Sequence, residues 1–590
     1  MAPREWPHCI AHPHDPEIYP EGPPEHSEAE EEEVEENGVG DEEDEEVESG
    51  DSELRRKRKG KGGASQTKMV AAAMCVGIGS FSDPIEAQGL AHFLEHMLFM
   101  GSTEFPDENE VWSSNAITET EYTCYHFEVK REFLKGALRR FSQFFVSPLL
   151  KIEAMEREVL AIVSGNKKSL VDAMENGINL REQILKWYRD YYHGGLMKLV
   201  VIGGVVVIAA ESLNILEDLV VELFSNVKKG PPENLQFKAE RPIWKAGKLY
   251  RLEPVGDFHM LYLTWTLPCL HQHHLKKPAE YLAHLLGHEG WGSLHFYFKA
   301  RGWATYLAAG VGSGCIYRTS VAYVFEVSIL LTDSGLEKMF DIIGIVYQYI
   351  KLLRQVSPQE WIFRELQDIG NMEFKFTEEE HQNVYASRLS ENLLLYPAEY
   401  INYGSFAYEI WDEELIEYVL GFFTPENIRV DVVSKSSIKS EDFKCEPWFG
   451  SKYTEEDISP SLMDLWKDPS EIDVSLHLPS KNEFIPCDFS IRSDNSCHDP
   501  ANISSPRCII DEPFMKLWYK LDTTFKLPRA LVAKLETSVT PVDEKLEIKV
   551  CGFNDKLPAL LSKILATVKN FLPTDVRFKV CQSTLCLVYV

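Results

Sequence analysis

The sequence lacks the features that mark secreted and membrane proteins. Its 12 cysteines are scattered singly, without a CxxC pair, which excludes a disulfide-stapled scaffold and indicates a reduced, intracellular chain. The first residues contain no apolar signal-peptide core. The most apolar run, residues 196–210, is short for a bilayer span and contains Lys198. We therefore expect a cytoplasmic protein without a membrane partner.

Lys and Arg are absent between Glu25 and Glu53, where 17 of the 92 acidic residues lie. Without this acidic tract, the formal net charge of −32 becomes −15. A protein of this charge lacks the basic surface that a phosphate backbone needs, so we expect no binding to nucleic acid. The tract is also too poor in apolar residues to fold. We predict that residues 1–68 are a disordered tail and that the tract binds basic proteins or polycations.

A basic run at residues 55–61 follows the acidic tract. Such a run is typical of a solvated linker or of a nuclear import signal. The sequence therefore predicts a cytoplasmic location and leaves a nuclear one open.

The rest of the chain is rich enough in apolar residues for several cores. Its length of 590 residues suggests three to four domains. Hydrophobic periodicity predicts strands and helices that mix without strict βαβ alternation, which indicates α+β units. The segments that carry this pattern include strands near residues 70–78, 122–129, 197–202, 260–267 and 321–331, and helices near 88–100, 134–145, 152–163, 278–287, 336–353 and 358–372.

The pattern most specific for chemistry is HFLEH, from His92 to His96. Two histidines at i and i+4 lie on one face of a helix, close enough to share a metal ion, and neutral imidazole is a natural Zn²⁺ ligand. Glu95 between them can take a proton from zinc-bound water. HxxEH is the inverted zincin arrangement. Taken alone, the match leaves open two histidines that merely pack on an amphipathic helix.

Longer motifs around this helix resemble the pitrilysin/insulinase family of inverted-zincin metallopeptidases. They are SFSDP at 80–84, GLAHFLEHMLFMGS at 89–102, FPDEN at 105–109, GHEGWGSL at 287–294, VSKS at 433–436 and LPSKNEFIP at 478–486. The resemblance covers most of residues 70–520. The acidic tract points to a subgroup of the family that carries such a tract before its first strand.

The resemblance implies zinc as cofactor, His92 and His96 as ligands, Glu95 as the catalytic general base and Glu158 as a supporting carboxylate. It also places the family's third ligand, a glutamate, at position 165, where this chain has Gly165. Glu158 lies seven residues earlier, which is about 10 Å along a helix axis. Because a zinc–ligand bond is about 2 Å long, Glu158 cannot take the place of the missing third ligand. We therefore expect a zinc site that lacks its third ligand.

The same resemblance implies that Asn115 and Ala116 belong to a substrate-binding edge strand, to which an extended peptide adds by backbone hydrogen bonds. An ordinary strand edge is the alternative. The segment before these residues, between Glu110 and Ser113, is shorter here than in the family.

The resemblance also implies a fold and a domain order. The expected fold class is α+β, with two similar α/β-sandwich units that form the first half of an insulinase-type clamshell, plus a fragment of the second half. Residues 69–235 are expected to be the peptidase N-terminal domain, 236–440 a second α+β domain, 441–511 a polar linker, and 512–590 a remnant of the third domain. A full-length relative is therefore a candidate partner.

Two functions compete. The first is a zinc metalloendopeptidase that hydrolyses peptides near basic residues, as the resemblance implies, with activity impaired by the change at position 165. The alternative is a catalytically silent paralogue that binds peptides or a partner protein through the acidic tract. A poorly folded product without a molecular role is a third reading.

Overall fold

The fold is taken from a computed structural model of the chain. It describes residues 69–107, 114–161, 166–203, 213–232, 237, 242–254, 256–312, 316–378, 380–435, 443–446, 450–489, 507–512, 515–519, 536–542, 545–551 and 556–570. The acidic tract, the basic run and Gly165 lie outside the described residues. The predictions made for them therefore stay predictions.

The first unit is built on a four-stranded antiparallel sheet in the order β2-β3-β1-β4. The strand β1 is central and wholly apolar, and all but its first residue are buried. Three of these strands, β1, β3 and β4, match the strands predicted from the sequence. The elements of this unit are β1 (Met69–Val76), α1 (Leu90–Leu98), β2 (Ser114–Thr118), β3 (Thr123–Lys130), α2 (Leu134–Val146), α3 (Ile152–Ala161), α4 (Asn166–Glu175), α5 (Leu180–Tyr191), β4 (Met197–Ile202) and α6 (Leu213–Phe224).

The two faces of this sheet are covered by different parts of the chain. Val70, Ala72 and Met74 point from β1 into a core shared with the helices of the first unit. The alternate residues of β1 form a second, small cluster with Cys124 of β3 and with Ala386, which lies in a helix far along the chain. Successive side chains of a strand point to opposite faces of the sheet, and every residue of β1 is apolar. Each face of β1 is therefore buried against its own set of apolar residues.

The second unit is built on a seven-stranded sheet in the order β10-β11-β5-β9-β6-β8-β7, in which β5 and β9 are parallel. Its helices bury a large core around the strands β6 and β8. The elements are β5 (Lys248–Leu252), β6 (His259–Leu267), α7 (Pro278–Leu286), α8 (Leu294–Ala300), β7 (Ala304–Val311), β8 (Tyr323–Leu331), α9 (Asp333–Glu337), α10 (Met339–Val356), α11 (Glu360–Lys375), α12 (Gln382–Leu395), α13 (Glu413–Leu420), β9 (Ile428–Val433), β10 (Lys444–Cys445), β11 (Lys452–Asp457) and α14 (Pro460–Lys467).

Part of the segment expected to be a linker belongs to the second unit. The strand β11 pairs antiparallel with β5 along its length. Trp466 of α14 is buried at 1% exposure and stacks on Tyr347 of α10, with ring centroids 6.0 Å apart. The expectation of a linker over 441–511 is therefore wrong for these two elements. Their polar sequence reflects an edge strand and an amphipathic helix, each with one face in water.

The two units contact each other directly. The Glu121 carboxylate, at the turn between β2 and β3, accepts hydrogen bonds from the backbone N–H and the hydroxyl of Ser320 in the second unit, at 3.0 and 2.5 Å. The helix α12, which follows the second unit's core helices, lies on β1, β3 and β4 of the first unit.

Two hairpins and a helix follow. They are β12 (Arg507–Glu512) with β13 (Met515–Tyr519), β14 (Glu536–Val542) with β15 (Lys545–Cys551), and α15 (Leu557–Lys569). Within the described part of the chain, every helix is too short or too polar to span a lipid bilayer.

Candidate metal centre

The helix α1 carries the HxxEH motif, and its N-terminus is capped by a side chain from an earlier part of the chain. The N-cap residue Gly89, just before the helix, has a left-handed backbone, with φ of 95°, and supplies no side chain. Instead Asp83 accepts hydrogen bonds from the backbone N–H groups of Gly89 at 2.6 Å and Ala91 at 2.8 Å. Burial raises the pKa of Asp83 to about 7, although these backbone bonds act in the opposite direction. Two backbone donors at the start of the helix are thereby satisfied, which fixes where the helix begins.

Three possible ligand atoms converge on one side of α1. His92, Glu95 and His96 each offer an atom that lies within 4.8 Å of the others. The two imidazole rings are 4.9 Å apart between centroids and meet edge to face at 69°. Burial and the neighbouring His96 lower the pKa of His92 to about 4, so its imidazole is neutral at physiological pH. Neutral imidazole is the form that binds a metal.

The helix α3 places a carboxylate behind the second histidine. Oε2 of Glu158 lies 3.2 Å from Nδ1 of His96, and Glu158 is 8% exposed. Because a carboxylate accepts, Nδ1 carries the hydrogen and the lone pair of Nε2 is left for a metal. Arg157 donates to the other oxygen of Glu158 at 3.2 Å and fixes that side chain.

Glu95 is the most enclosed member of the group. The residue is 7% exposed, and its carboxylate accepts a hydrogen bond of 2.5 Å from the hydroxyl of Thr118 at the end of β2. Burial raises the pKa of Glu95, while the Thr118 hydrogen bond lowers it in part. A carboxylate with a raised pKa, near two imidazoles, suits acceptance and release of a proton.

The donor set fits zinc. The two imidazole nitrogens are typical zinc ligands, and each would stand about 2 Å from the ion. The candidate atoms lie within 4.8 Å of one another, near the separation of about 4 Å that two bonds of about 2 Å to one ion allow.

The strand β2 lies at the edge of the first sheet, beside the metal-site helix. Asn115 is exposed and Ala116 half-buried, and the side-chain oxygen of Asn115 accepts from the N–H of Ala116 at 2.9 Å. The two residues predicted to bind substrate therefore stand on an edge strand. Their role in peptide binding stays a prediction.

Sequence reasoning missed two residues of this centre, Asp83 and Thr118. A local signal existed for Asp83, because an aspartate lies shortly before the glycine that opens the helix. No local signal existed for Thr118. It reaches Glu95 because the register of β2 against β3 places it at the helix.

Comparisons with known proteins agree with this arrangement. Three family profiles match in chain order: "Insulinase (Peptidase family M16)" at residues 63–179, "Peptidase M16 inactive domain" at 179–369, and "Middle or third domain of peptidase_M16" at 374–533 and 529–589. Together they account for nearly all of the chain after the acidic tract.

Curated relatives are similar over 88% of this chain. A nardilysin-like protein of Arabidopsis thaliana is 59% identical over 599 residues, and nardilysin of Rattus norvegicus is 32% identical over 607. The insulin-degrading enzyme of Homo sapiens is 33% identical over 598. The matches cover 58%, 51% and 57% of these relatives, so the chain spans little more than half of their length.

Among solved structures, the crystal structure of pitrilysin superposes with a TM-score of 0.74 at 20% identity, over 88% of this chain and 62% of that one. At that identity the likeness concerns the fold. It confirms the predicted class, α+β units of the clamshell type.

Proposed function

Because the chain belongs to the M16 insulinase family of metallopeptidases, we propose that it carries a nardilysin-like zinc peptidase site whose turnover is impaired. The observation that carries the proposal is the convergence of His92, Glu95 and His96 within 4.8 Å, with Glu158 behind His96. In this arrangement His92 and His96 hold the metal, and Glu158 orients one of them.

Each residue has a chemical task in peptide hydrolysis. Zinc would supply Lewis acidity, which lowers the pKa of a coordinated water towards about 7. Glu95 accepts the proton of the attacking water and delivers it to the leaving amine. The exposed edge of β2, at Asn115 and Ala116, aligns an extended peptide beside Glu95 by backbone pairing. As in nardilysin by resemblance, peptides with basic residues are the proposed substrates.

The impairment follows from position 165. The resemblance assigns a glutamate ligand there and this chain has Gly165. A catalytic zinc site normally has three protein ligands and one water. With two imidazoles as the firm ligands, zinc binding is weak and turnover is very low or absent.

The experiment is a zinc titration of the purified chain with peptide hydrolysis measured in parallel. We expect reversible binding of one zinc, lost on dialysis against chelator, and abolished by His92→Ala. Glu95→Gln should spare zinc binding and remove any residual hydrolysis. Tight retention of one equivalent through chelator dialysis would contradict the impairment. Binding that is indifferent to His92→Ala would contradict the site itself.

A second candidate function is that of a catalytically silent paralogue which binds peptides or basic partners. The loss at position 165 and the uninterrupted acidic tract favour it. Salt screens contacts between solvated charges. Between about 50 and 300 mM salt the Debye length shortens roughly twofold, so the binding of polylysine should weaken steeply over this range. Equal binding after deletion of residues 25–53 would exclude the tract as the binding element. Assembly with a full-length relative is a further proposal, open to test by co-purification.

A further inference from the structure

The hydroxyl of Thr118 has a fixed direction. The neighbouring Thr123, opposite it in the β2–β3 register, donates its own hydrogen to the carbonyl of Ile78 at 3.1 Å. Thr123 can therefore only accept a hydrogen bond from Thr118, and at 3.5 Å that contact is long for a hydroxyl donor. The Thr118 hydrogen is directed to Oε2 of Glu95, at 2.5 Å. This is the one hydrogen bond that the described structure gives to the Glu95 carboxylate.

The Glu95 carboxylate has two chemical roles open to it, as a metal ligand and as a free base. Its carboxylate lies close enough to the two imidazoles for one of its oxygens to enter the coordination shell of a metal held there. A buried carboxylate also gains from any opposite charge, because little water reaches it. The Thr118 hydroxyl, at the end of β2, donates to Oε2 of this carboxylate and so competes with a metal for it. A carboxylate that is bound to a metal is a poor proton acceptor, so Glu95 cannot serve as a metal ligand and as the general base at the same time.

We propose that Thr118 is a positioning residue that holds the Glu95 carboxylate out of the metal's coordination shell and so keeps it available as a base. The proposal rests on the proposed zinc site. Thr118 is also the last residue of β2, the strand proposed to pair with a peptide. A peptide added to β2 would therefore tighten the element that orients Glu95.

The test compares metal affinities, with cobalt as a coloured substitute for zinc. Thr118→Val removes the hydroxyl at constant shape and should raise metal affinity by roughly ten- to a hundredfold, since the released carboxylate becomes a ligand. The cobalt absorption spectrum should change in shape, because the coordination shell changes. Thr118→Ser restores a hydroxyl and should return both readouts to those of the unmodified chain. Any peptide hydrolysis should fall in Thr118→Val although metal is bound more tightly.

Two controls separate positioning from structural damage. Thr123→Val deletes the neighbouring buried hydroxyl, whose bond goes to Ile78, and should leave metal affinity and spectrum unchanged. The double variant Thr118→Val/Glu95→Gln should show the affinity of Glu95→Gln alone, because the gain requires the carboxylate. A folded Thr118→Val chain with unchanged or weaker affinity would overturn the proposal, as would an equal effect of Thr123→Val. If the unmodified chain binds neither metal, the zinc site itself fails, an outcome visible before any Thr118 variant is measured.

Discussion

Oε2 of Glu158 and Nδ1 of His96 lie 3.2 Å apart although 62 residues separate them in the chain. The contact requires α3 to pack across α1, which it does through Met155 and Val159 in the first core. The orientation of one proposed metal ligand thus depends on helix packing as much as on the motif itself.

Loss of the Glu158 carboxylate should weaken metal binding. Glu158→Ala removes the acceptor that fixes the His96 tautomer, and partners of this kind are worth about 10–100-fold in metal affinity. Glu158→Gln keeps an acceptor oxygen and should cost less. Zinc titration measures the effect, with Glu153→Gln on the exposed face of the same helix as a control that should bind like the unmodified chain. Equal affinity in Glu158→Ala would show that the contact does not support the site.

Restoring an acid at position 165 should strengthen the site. Gly165→Glu offers the ligand that the family resemblance assigns there, and we expect zinc affinity to rise by at least roughly tenfold, the order of one good ligand. Gly165→Gln changes size without charge and is the matched control. The same competition titration reports both variants. A rise in both, or in neither, would argue against a ligand position at 165.

The helix α14 should contribute to stability as a core element does. Trp466→Ala empties a buried, stacked position and should lower the free energy of unfolding by about 3–5 kcal/mol. Leu465→Ala, next to it and 56% exposed, should change it by less than about 0.5 kcal/mol. Urea denaturation of both variants compares the two effects. Unfolding is monitored by far-UV circular dichroism, because that signal reports the backbone and not the tryptophan that is removed. Similar, small effects would mean that α14 is dispensable to the second unit.

The helix α12 should make stability depend on pH. Burial raises the pKa of Glu391 from an ordinary 4.5 to about 7; nearby Glu119 adds to the shift and a hydrogen bond from Tyr122 reduces it. The folded state therefore binds this proton more tightly, so the stabilisation is full below about pH 4.5 and is lost as pH rises through 7. Glu391→Gln should gain roughly 2–3 kcal/mol over the unmodified chain at pH 8 and nothing at pH 4.5. Melting curves at both pH values measure this, and a pH-independent difference would contradict it.

Local patterns predicted local structure well. Apolar periodicity predicted a helix near residues 134–145, and α2 is found there with Leu134, Leu138, Phe141 and Phe145 buried. The helix predicted near residues 88–100 is confirmed as Leu90–Leu98, with its two histidines on one side. Apolar periodicity succeeds in these places because one helix face packs on one core.

Features that depend on contacts between distant segments could not be predicted from the sequence. Ile152, the first residue of the helix predicted near 152–163, is 60% exposed, so apolar character alone did not show which residues the core covers. β11 was missed since an edge strand with one wet face has a polar composition. Thr118 carried no signal at all, as its contact with Glu95 exists only in the folded register. The roles of the metal-site residues, and the domain limits at 235 and 440, stay predictions.

The helix α12 has a consequence for synthesis of the chain on the ribosome. The small residues on the outer face of β1 and β3 contact α12, and Cys124 meets Ser390 across 266 residues of sequence. During translation, at about 5–20 residues per second, the first sheet is complete many seconds before its cover emerges. Until α12 emerges, the nascent first unit therefore exposes an apolar face. A chaperone bound to that face would be displaced when α12 packs onto the sheet.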